Sequence, residues 1–411
     1  MEKMQQPPVP SRAVNKAASL VSSRKARYIY IACPWSPGGG GMYKVADYLI
    51  QSQAERLPAK AAQLRPLDTR GAGSPVFSLW VLLTALAKIV EGRLQGGLAG
   101  VHVNMAARMS LFRKGTLIMT CAALGVPTVL HLHAQMQCFY HRLPTFLRSL
   151  TRWVFSLAQA VIVIGPAAKK FVIDVLLVPA DRVCVIINGV PEPGQARELV
   201  PADAPQHILF LGNLSDRKGV LDLLRALAEP VLDTSRVKVT IAGGGDVARY
   251  RTLARELGVD TIVHFEGWCD QKKVGRLLAN CDMLVLPSHD EVLPLAILEA
   301  LAHGVAVVTT AVGEIPSLLT DGIDAVFVTA ENPASLAAGM QKVLQGAGLK
   351  ESLAKNGRAL YLRHFCLSSF FSNVASVHRR HFGAAGHLKE TLLSTQESPG
   401  FVGPAPAARP D

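Results

Sequence analysis

Two acids flank an almost wholly apolar run in Ser288–Gly304, which reads SHDEVLPLAILEALAHG. Carboxylates accept hydrogen bonds from sugar hydroxyls, so Glu291 and Glu299 could hold a polyhydroxylated ligand in a cleft. In the simpler alternative, Glu291 favours the positive start of a helix and Glu299 lies on the solvated side of that helix. The run follows the apolar segment MLVLPS, which predicts Glu291 in a strand-to-helix turn and Glu299 about one turn into the helix.

The start of this predicted helix also suits a phosphate group. The backbone N–H groups of Leu293, Leu295 and Ala296 would point into the cleft at the positive end of the helix dipole. Another turn, LGNLSDRKG, carries Arg217 and Lys218 just before a second apolar helix pattern. Two cations at a strand end could contact a diphosphate, although either one alone is as well explained by a solvated turn.

Glycines and histidines follow two of the earlier apolar runs. Gly38–Gly41 open a helix after the first run, where bare backbone could approach an anion or simply form a tight turn. Their spacing does not match the dinucleotide pattern G-x-G-x-x-G. His131 and His133 alternate with leucine in VLHLHAQ, so they share one strand face, and His133 is nearer the strand end. The alternative is a histidine in the core. A zinc site is not indicated, because no third ligand follows at a suitable spacing.

Short apolar runs that alternate with helical spacers must position these residues. Runs of this length and β-branched content predict buried parallel strands in βα units, arranged as two doubly wound domains that face one another across a cleft. Ligands bind beyond the carboxyl ends of such strands, which is where the candidate residues lie. The runs are 27–33, 61–67, 99–105, 128–134, 160–165 and 183–189, followed by 207–213, 238–244, 262–268, 283–288, 305–310 and 325–330.

Composition shifts predict the domain boundaries. The stretch around VPEPGQARELVPADAPQ is rich in proline and charge, as expected of a linker between domains. Polar and proline-bearing ends predict disorder at both termini. The predicted organisation is a disordered segment 1–24, a first domain 25–190, a linker 191–206, a second domain 207–364, a helix near 365–385 that returns to the first domain, and a disordered tail 386–411.

The overall charge points to an anionic partner. The chain of 411 residues has 43 Lys and Arg against 31 Asp and Glu, a net charge of +12, which suits nucleic acid, anionic lipid or phosphate-bearing substrates. Seven cysteines without a C-x-x-C pair favour a reducing cytosol. We expect no signal peptide at the polar N-terminus. The apolar stretch Val76–Val90 contains Lys88 and is short for a membrane span, so we expect no transmembrane helix.

Taken together, these motifs resemble the retaining GT-B glycosyltransferases, glycosyl transferases group 1, and in particular bacterial exopolysaccharide mannosyltransferases. The resemblance is carried by Glu-x7-Glu within EVLPLAILEALAHGVAVVTTAVGEIPSLL, by the RKG turn after FLGN, by IINGV and by the glycine-rich first loop. It is strong over about 208–344 and weaker, but in register, over the N-terminal half. It implies an α/β fold of the GT-B type, with an acceptor-binding first domain and a donor-binding second domain.

The resemblance also implies a role for each candidate residue. Glu291 would meet hydroxyls of the transferred sugar, His133 would lie near the reacting carbon, and Lys218 would neutralise the diphosphate, which makes these three the catalytic candidates. The family usually has arginine where this chain has Asn213, so the resemblance leaves the part of Arg217 open. The implied donor-binding residues are Gly39 and Gly40 on the phosphate and acceptor side, Leu293, Pro294 and Leu295 at the β-phosphate, Glu299 at the ribose, and Trp268 and Cys269 beside the base.

The implied reaction is metal-independent transfer with retention, in which the leaving phosphate oxygen serves as the base for the acceptor hydroxyl. The donor is a nucleotide sugar, with GDP-mannose favoured over UDP-sugars, and the acceptor is a glycan or a polyprenyl-linked sugar. A nucleotide-sugar epimerase of the same architecture is one alternative, but it needs an acid/base pair that the motifs do not supply. A basic nucleic-acid-binding protein is another, yet aromatic residues are only 6% of the chain and form no stacking platform, so we expect no nucleic-acid partner.

Two basic and apolar segments of the first domain predict peripheral contact with an anionic cytoplasmic membrane surface. In Gln137–Leu157, three arginines alternate with large apolar side chains at helical spacing, and Ala106–Ile118 adds further cations. A core-facing apolar side with solvated arginines explains either segment alone. The arginines are Arg142, Arg148 and Arg152; the apolar residues are Phe139, Tyr140, Phe146, Leu147, Trp153 and Phe155; the further cations are Arg108, Arg113 and Lys114.

Overall fold

The computed structural model describes residues 27–35, 40–58, 61–193, 205–346 and 348–389. The predictions for residues 1–24, for most of the linker and for 390–411 lie outside these described residues, as does Gly39. The tail does not begin at 386 as predicted, because the backbone of His387 accepts a hydrogen bond from Ala54 and Lys389 donates one to Ser52. Residues 386–389 therefore pair with the first domain.

Each of the six apolar runs in the N-terminal half forms a strand of one parallel sheet. The central strands are buried along their length, as the continuous apolar runs predicted. The elements are β1 Tyr28–Cys33, α1 Gly40–Ser52, β2 Gln63–Asp68, α2 Pro75–Leu94, β3 Leu98–Met105, α3 Met109–Ala123, β4 Thr128–Leu132, α4 Gln137–His141, α5 Thr145–Ser156, β5 Ala160–Val163, α6 Pro166–Asp174 and β6 Val183–Val185.

The six runs of the second half form a second parallel sheet. Gln206, assigned to the linker from the sequence, is the first residue of this sheet. The elements are β7 Gln206–Leu211, α7 Val220–Leu227, β8 Val237–Ala242, α8 Val247–Glu256, β9 Val263–Gly267, α9 Gln271–Ala279, β10 Met283–Leu286, α10 Leu295–Ala302, β11 Ala306–Thr310, α11 Ile315–Leu318, β12 Val326–Val328, α12 Pro333–Gln345, α13 Leu349–His364 and α14 Leu367–Phe382.

The strand order gives each sheet a crevice. The first sheet runs β2-β1-β3-β4-β5-β6 and the second β12-β11-β10-β7-β8-β9, so the winding direction reverses between β1 and β3 and between β7 and β10. Loops diverge at such a reversal and leave a crevice at the carboxyl ends of the strands. These reversals confirm the doubly wound architecture. The predicted site residues follow β1, β4, β7, β9 and β10.

The last helix, α14, packs against α1 and β4 of the first domain. The Phe382 ring lies so close to Gly100 that a Cβ at this position would overlap it. The Arg27 guanidinium donates to the carbonyl oxygens of Phe382 and Gly383, at 2.7 and 3.0 Å, and so holds the end of the helix. The helix predicted near 365–385 is thus part of the first domain's packing.

Candidate active site

The two glutamates lie around the start of α10. Glu291 is in the turn between β10 and α10, and Glu299 is the fifth residue of the helix. Helix α10 packs between β10, β11 and α13, which explains why nearly all of its residues are apolar. Glu299 is only 5% exposed, so the interpretation that it lies on a solvated helix side is wrong. A buried carboxylate needs partners, because burial without them is costly.

Both cations of the RKG turn meet Glu291. The Lys218 ammonium forms an ion pair with the Glu291 carboxylate, and Arg217 Nη1 lies 3.2 Å from Glu291 Oε1. Arg217 also donates to the backbone carbonyl of Asp290. Gly219 ends the turn at φ +72°, and a Cβ there would overlap the carbonyl oxygen of Pro287. Glycine is required at this position for the turn to approach β10.

Glu299 is held by the first domain as well as by its own. Lys44 Nζ lies 2.6 Å from Glu299 Oε1, and the Tyr48 hydroxyl donates to the same oxygen at 3.3 Å. Both residues belong to α1, which begins within the glycine run, at Gly40. Gln271 Nε2, at the start of α9, donates at 3.2 Å. Burial, with the negative charge of Glu299 as a further cause, raises the pKa of Tyr48 above its usual value, which keeps this hydroxyl a donor.

The loop after β11 closes the site from the other side. Gly313 adopts φ +64°, and a Cβ there would overlap the carbonyl oxygen of Glu291. Gln135 Nε2, in the loop after β4, donates to that carbonyl at 2.6 Å. The Glu314 carboxylate accepts from the backbone of Ala167 and Ala168, at 3.2 and 2.7 Å, at the start of α6. Glu314 thus caps a helix of the opposite domain.

His133 is neutral and has a fixed tautomer. Its Nε2 lies 2.8 Å from Asn104 Oδ1, while Asn104 Nδ2 donates to the Ala32 carbonyl at 3.4 Å. Because an amide oxygen only accepts, this assignment puts the proton on Nε2 and leaves Nδ1 as an acceptor. Burial lowers the pKa of His133 to about 3, so the ring stays uncharged at neutral pH. The tautomer follows from Asn104, which the sequence analysis did not identify.

Three further histidines, of which His131 is the first, extend from His133 into the first domain. The His131 and His133 rings lie 4.0 Å apart, centre to centre. His102 Nε2 lies 3.3 Å from His131 Nδ1, and its Nδ1 lies 2.8 Å from His378 Nε2 on α14. The alternative of a core histidine holds for His131, but its partner is another imidazole rather than backbone. Among the described residues, no three His, Cys, Asp or Glu side chains form a metal-binding group.

Lys114 lies fully buried below the same edge of the first sheet. Its ammonium group donates to Thr69 Oγ1 at 2.6 Å and to the Ala32 carbonyl at 3.3 Å. Burial lowers its pKa to about 7. Lys114 was assigned to a basic membrane-facing surface from the sequence, and its burial makes that assignment wrong. Lys114 directly follows Arg113, and the sequence LFRKG does not indicate which of the two cations faces the core.

The remaining predicted residues that the structure describes follow strands β1, β9 and β10. Gly40 adopts φ +65° with open space beside it, and the neighbouring Gly41 faces Leu295 across the cleft. Pro294 is the N-cap of α10 and provides no side-chain cap. Leu293 is buried ahead of α10, Trp268 is 64% exposed after β9, and Cys269 beside it is half-buried.

Comparison with known proteins gives the family. Residues 194–360 match glycosyl transferases group 1, and residues 62–192 match glycosyltransferase family 4, so the two segments together take in more than half of the chain. An uncharacterised glycosyltransferase of Methanocaldococcus jannaschii is 31% identical over 48% of this chain and 54% of its own length. The chain spans about half the length of the curated relatives it matches.

Solved structures share the two-domain fold. Sucrose-phosphate synthase from Thermosynechococcus elongatus superposes with a TM-score of 0.70 at 18% identity, covering 86% of this chain and 98% of that one. The Anabaena protein HepE in complex with UDP gives 0.67 at 16% identity, covering 86% and 100%. At these sequence identities the structural likeness establishes the fold alone. Membership of the family rests on the two family matches. The chain belongs to the GT-B glycosyltransferases, with a family 4 segment in its first domain and a group 1 segment in its second.

Proposed function

We propose that this protein is a retaining glycosyltransferase that moves a sugar from a nucleoside diphosphate donor to a glycan or a lipid-linked acceptor. The observation that carries the proposal is the convergence of Lys218 and Arg217 on Glu291 at the uncapped start of α10. Positive charge and free N–H groups together form a site for a diphosphate. The carboxylate beside them is an acceptor for sugar hydroxyls.

In this proposal the diphosphate leaves with its charge stabilised by the protein. Lys218 is 14% exposed, so its interaction with a phosphate is less screened by water than that of a surface lysine. Glu291 is the ion-pair partner of this lysine before the donor binds. The N–H groups of Leu295 and Ala296 face the β-phosphate, and the acceptor hydroxyl gives its proton to the leaving phosphate oxygen. These charges support a transfer that does not depend on a metal ion.

Glu299 and His133 would hold the two ends of the donor. Glu299 would accept hydrogen bonds from the ribose hydroxyls in place of those it now accepts from Lys44 and Tyr48. His133 would accept a hydrogen bond from a hydroxyl of the transferred sugar at Nδ1, because its Nε2 proton is donated to Asn104. Trp268 and Cys269 would flank the base. This assignment makes His133 a positioning acceptor rather than a proton donor.

For the donor we propose GDP-mannose, on the motif resemblance to exopolysaccharide mannosyltransferases. UDP-sugars form the comparison set, since HepE was solved with UDP. For the setting we propose the cytoplasmic face of a membrane, where a polyprenyl-linked sugar would be the acceptor. The net charge of +12 supports an anionic surface there.

The test is a panel of GDP-, UDP- and ADP-sugars with the full chain. We expect one donor to raise the melting temperature and to be hydrolysed slowly, with activity surviving EDTA and the first released sugar having the donor's anomeric configuration. Glu291→Gln should abolish most of this hydrolysis, whereas Asp290→Asn, an exposed acid one residue earlier, should not. Release of the opposite anomer would rule out retention. Equal rates for the two variants would reject the site.

A further inference from the structure

One face of α2 is apolar and exposed from end to end. Val76, Trp80, Leu83, Val90 and Leu94 are 79%, 61%, 55%, 37% and 82% exposed, and Ala87 fills the remaining step of the same stripe. Their spacing alternates between three and four residues, which places them on one side of the helix. Phe77 and Leu79 widen the stripe. Large apolar patches of this kind mark contact surfaces.

The opposite face of α2 fixes the helix to the first sheet. Val81, Leu82, Ala85 and Ile89 are buried, and the helix packs against β2 and β3. Within the described residues, α2 is the one helix long and apolar enough to cross a membrane by length and composition, although 28% of its most apolar window is buried. The helix has 20 residues because it continues past the apolar stretch Val76–Val90 through Glu91 and Arg93. Crossing a bilayer would pull it off the sheet, whereas lying flat would not.

Helices α3 and α5 continue this surface. Helix α2 packs beside α3 and α3 beside α5. Met109 and Phe112 are exposed on α3, and Phe146, Leu150 and Trp153 on α5. We call these exposed side chains, together with the α2 stripe, the apolar face. Two tryptophans and three phenylalanines on it are typical of side chains that lie at a bilayer interface.

The surrounding charge is almost entirely positive. Between Asp68 and Asp174 the chain carries eleven Lys and Arg residues and one acid, Glu91. Of the eleven, Lys114 is buried, while Arg70, Lys88, Arg93, Arg108, Arg142 and Arg152 are exposed. Cations around an apolar face complement anionic lipid headgroups. A second copy of the same face would bring like charges together, which disfavours a symmetric dimer.

The structure changes the membrane surface predicted from the sequence. The Gln137–Leu157 segment is split at Pro144 into α4 and α5, and Tyr140 and Phe155 belong to the core. Arg148 and Arg152 donate to backbone carbonyl oxygens within the domain. The exposed apolar area lies mainly on α2 instead.

We propose that the apolar face docks the first domain on an anionic bilayer, with α2 lying in the membrane plane and Trp80 inserted at the headgroup level. The proposal rests on the proposed function in one respect: a lipid-linked acceptor would have to be reached at the membrane surface. Binding can be measured without donor or acceptor, so its failure and the failure of the transferase assignment are separate results.

The first experiment is co-sedimentation of the full chain with phosphatidylcholine vesicles, with or without one quarter phosphatidylglycerol. We expect binding to the anionic vesicles that weakens at high salt, and at least tenfold weaker binding for the double variant Trp80→Glu/Leu83→Glu. The matched control is Val231→Glu/Ile323→Glu, which changes two exposed apolar residues of the second domain and should bind like the wild type. Equal recovery with neutral and anionic vesicles, or unchanged binding of the α2 variant, overturns the proposal.

The second experiment measures depth. In a chain with Trp35, Trp153 and Trp268 replaced by phenylalanine, Trp80 fluorescence should shift to the blue with anionic vesicles. Lipids brominated near the headgroup should quench it more than lipids brominated near the chain ends. Stronger quenching at the bilayer centre overturns the in-plane arrangement. A dimer seen by ultracentrifugation without vesicles and lost in the α2 variant would assign the face to a second copy instead.

Discussion

Lys44 and Glu299, which are 255 residues apart in the chain, join the two domains through a 2.6 Å contact between Nζ and Oε1. The lysine belongs to α1 and the glutamate to α10, on opposite sides of the cleft. A ligand that uses Glu299 must therefore share or replace this interaction. If Glu299 binds the donor as proposed, donor binding and this contact between the domains depend on the same carboxylate.

Lys44→Met should destabilise the protein by about 1–3 kcal/mol, because it leaves a buried carboxylate without its cation. For domains of this size, each kcal/mol corresponds to a fall of roughly 2–4 °C in melting temperature. The measurement is thermal unfolding at pH 7.5. Lys272→Met, which removes an exposed lysine next to Gln271, serves as the control and should change nothing. An unchanged melting temperature for Lys44→Met would contradict a stabilising role for the pair.

Lys218 and Arg217 should differ in their effect on catalysis. Lys218 is 14% exposed and Arg217 52%, so the lysine interacts with a phosphate through less water. Lys218→Met should lower kcat/KM by on the order of 100-fold, close to the loss of a charged hydrogen bond, and Arg217→Met by less than about tenfold. Initial rates at subsaturating donor measure both. The reverse order would mean that Arg217 takes the part of the arginine missing at Asn213.

His133 should act without changing its charge. Its pKa of about 3 predicts no inflection in kcat from this ring between pH 5 and 8. Asn104→Leu removes the acceptor that holds the Nε2 proton, so it should lower kcat several-fold while the donor KM stays near the wild-type value. His133→Ala should have the same pattern. If either variant changes KM alone, His133 is a donor-binding residue and not a group at the reacting sugar.

The buried histidines should make stability fall in acid. Burial lowers the pKa of His102 to about 3 and lowers those of His131 and His378 well below 6.5. Below pH 6.5 the unfolded chain binds protons that the folded chain does not, so the free energy of unfolding is greatest above pH 6.5 and declines towards pH 3. Each such histidine contributes about 1.4 kcal/mol per pH unit in this range.

Chemical denaturation at pH 7.5, 6.0 and 5.0 measures this decline. His378→Gln keeps a hydrogen-bonding side chain beside His102 but cannot titrate, so its stability should depend less on pH than that of the wild type. His264→Gln, at a mostly exposed side chain, should match the wild-type slope. A slope for His378→Gln as steep as the wild type would show that other groups cause the acid sensitivity.

Much of the fold follows from the sequence because its determinants are local. Each of the twelve apolar runs forms a strand, since a continuous β-branched run bounded by turns suits a strand buried on both sides. The rule that ligands bind beyond the carboxyl ends of parallel strands then placed Lys218, Glu291 and His133 at one cleft without coordinates. Gly219 could also be understood locally, as a turn between a strand and a helix.

Only the tertiary structure decided how these residues pair and which faces they use. The periodicity of α1 does not show that Lys44 reaches Glu299, because that contact depends on how two separate sheets are placed. Lys114 was expected at the surface and is buried, and α2 was set aside as too short and exposes an apolar stripe. A helix that is apolar on all sides carries no local information about its solvent-facing side, which is set by what packs against it. The sequence thus determined the strands and the turns that carry the chemistry, and the packing of one domain on the other determined the partners.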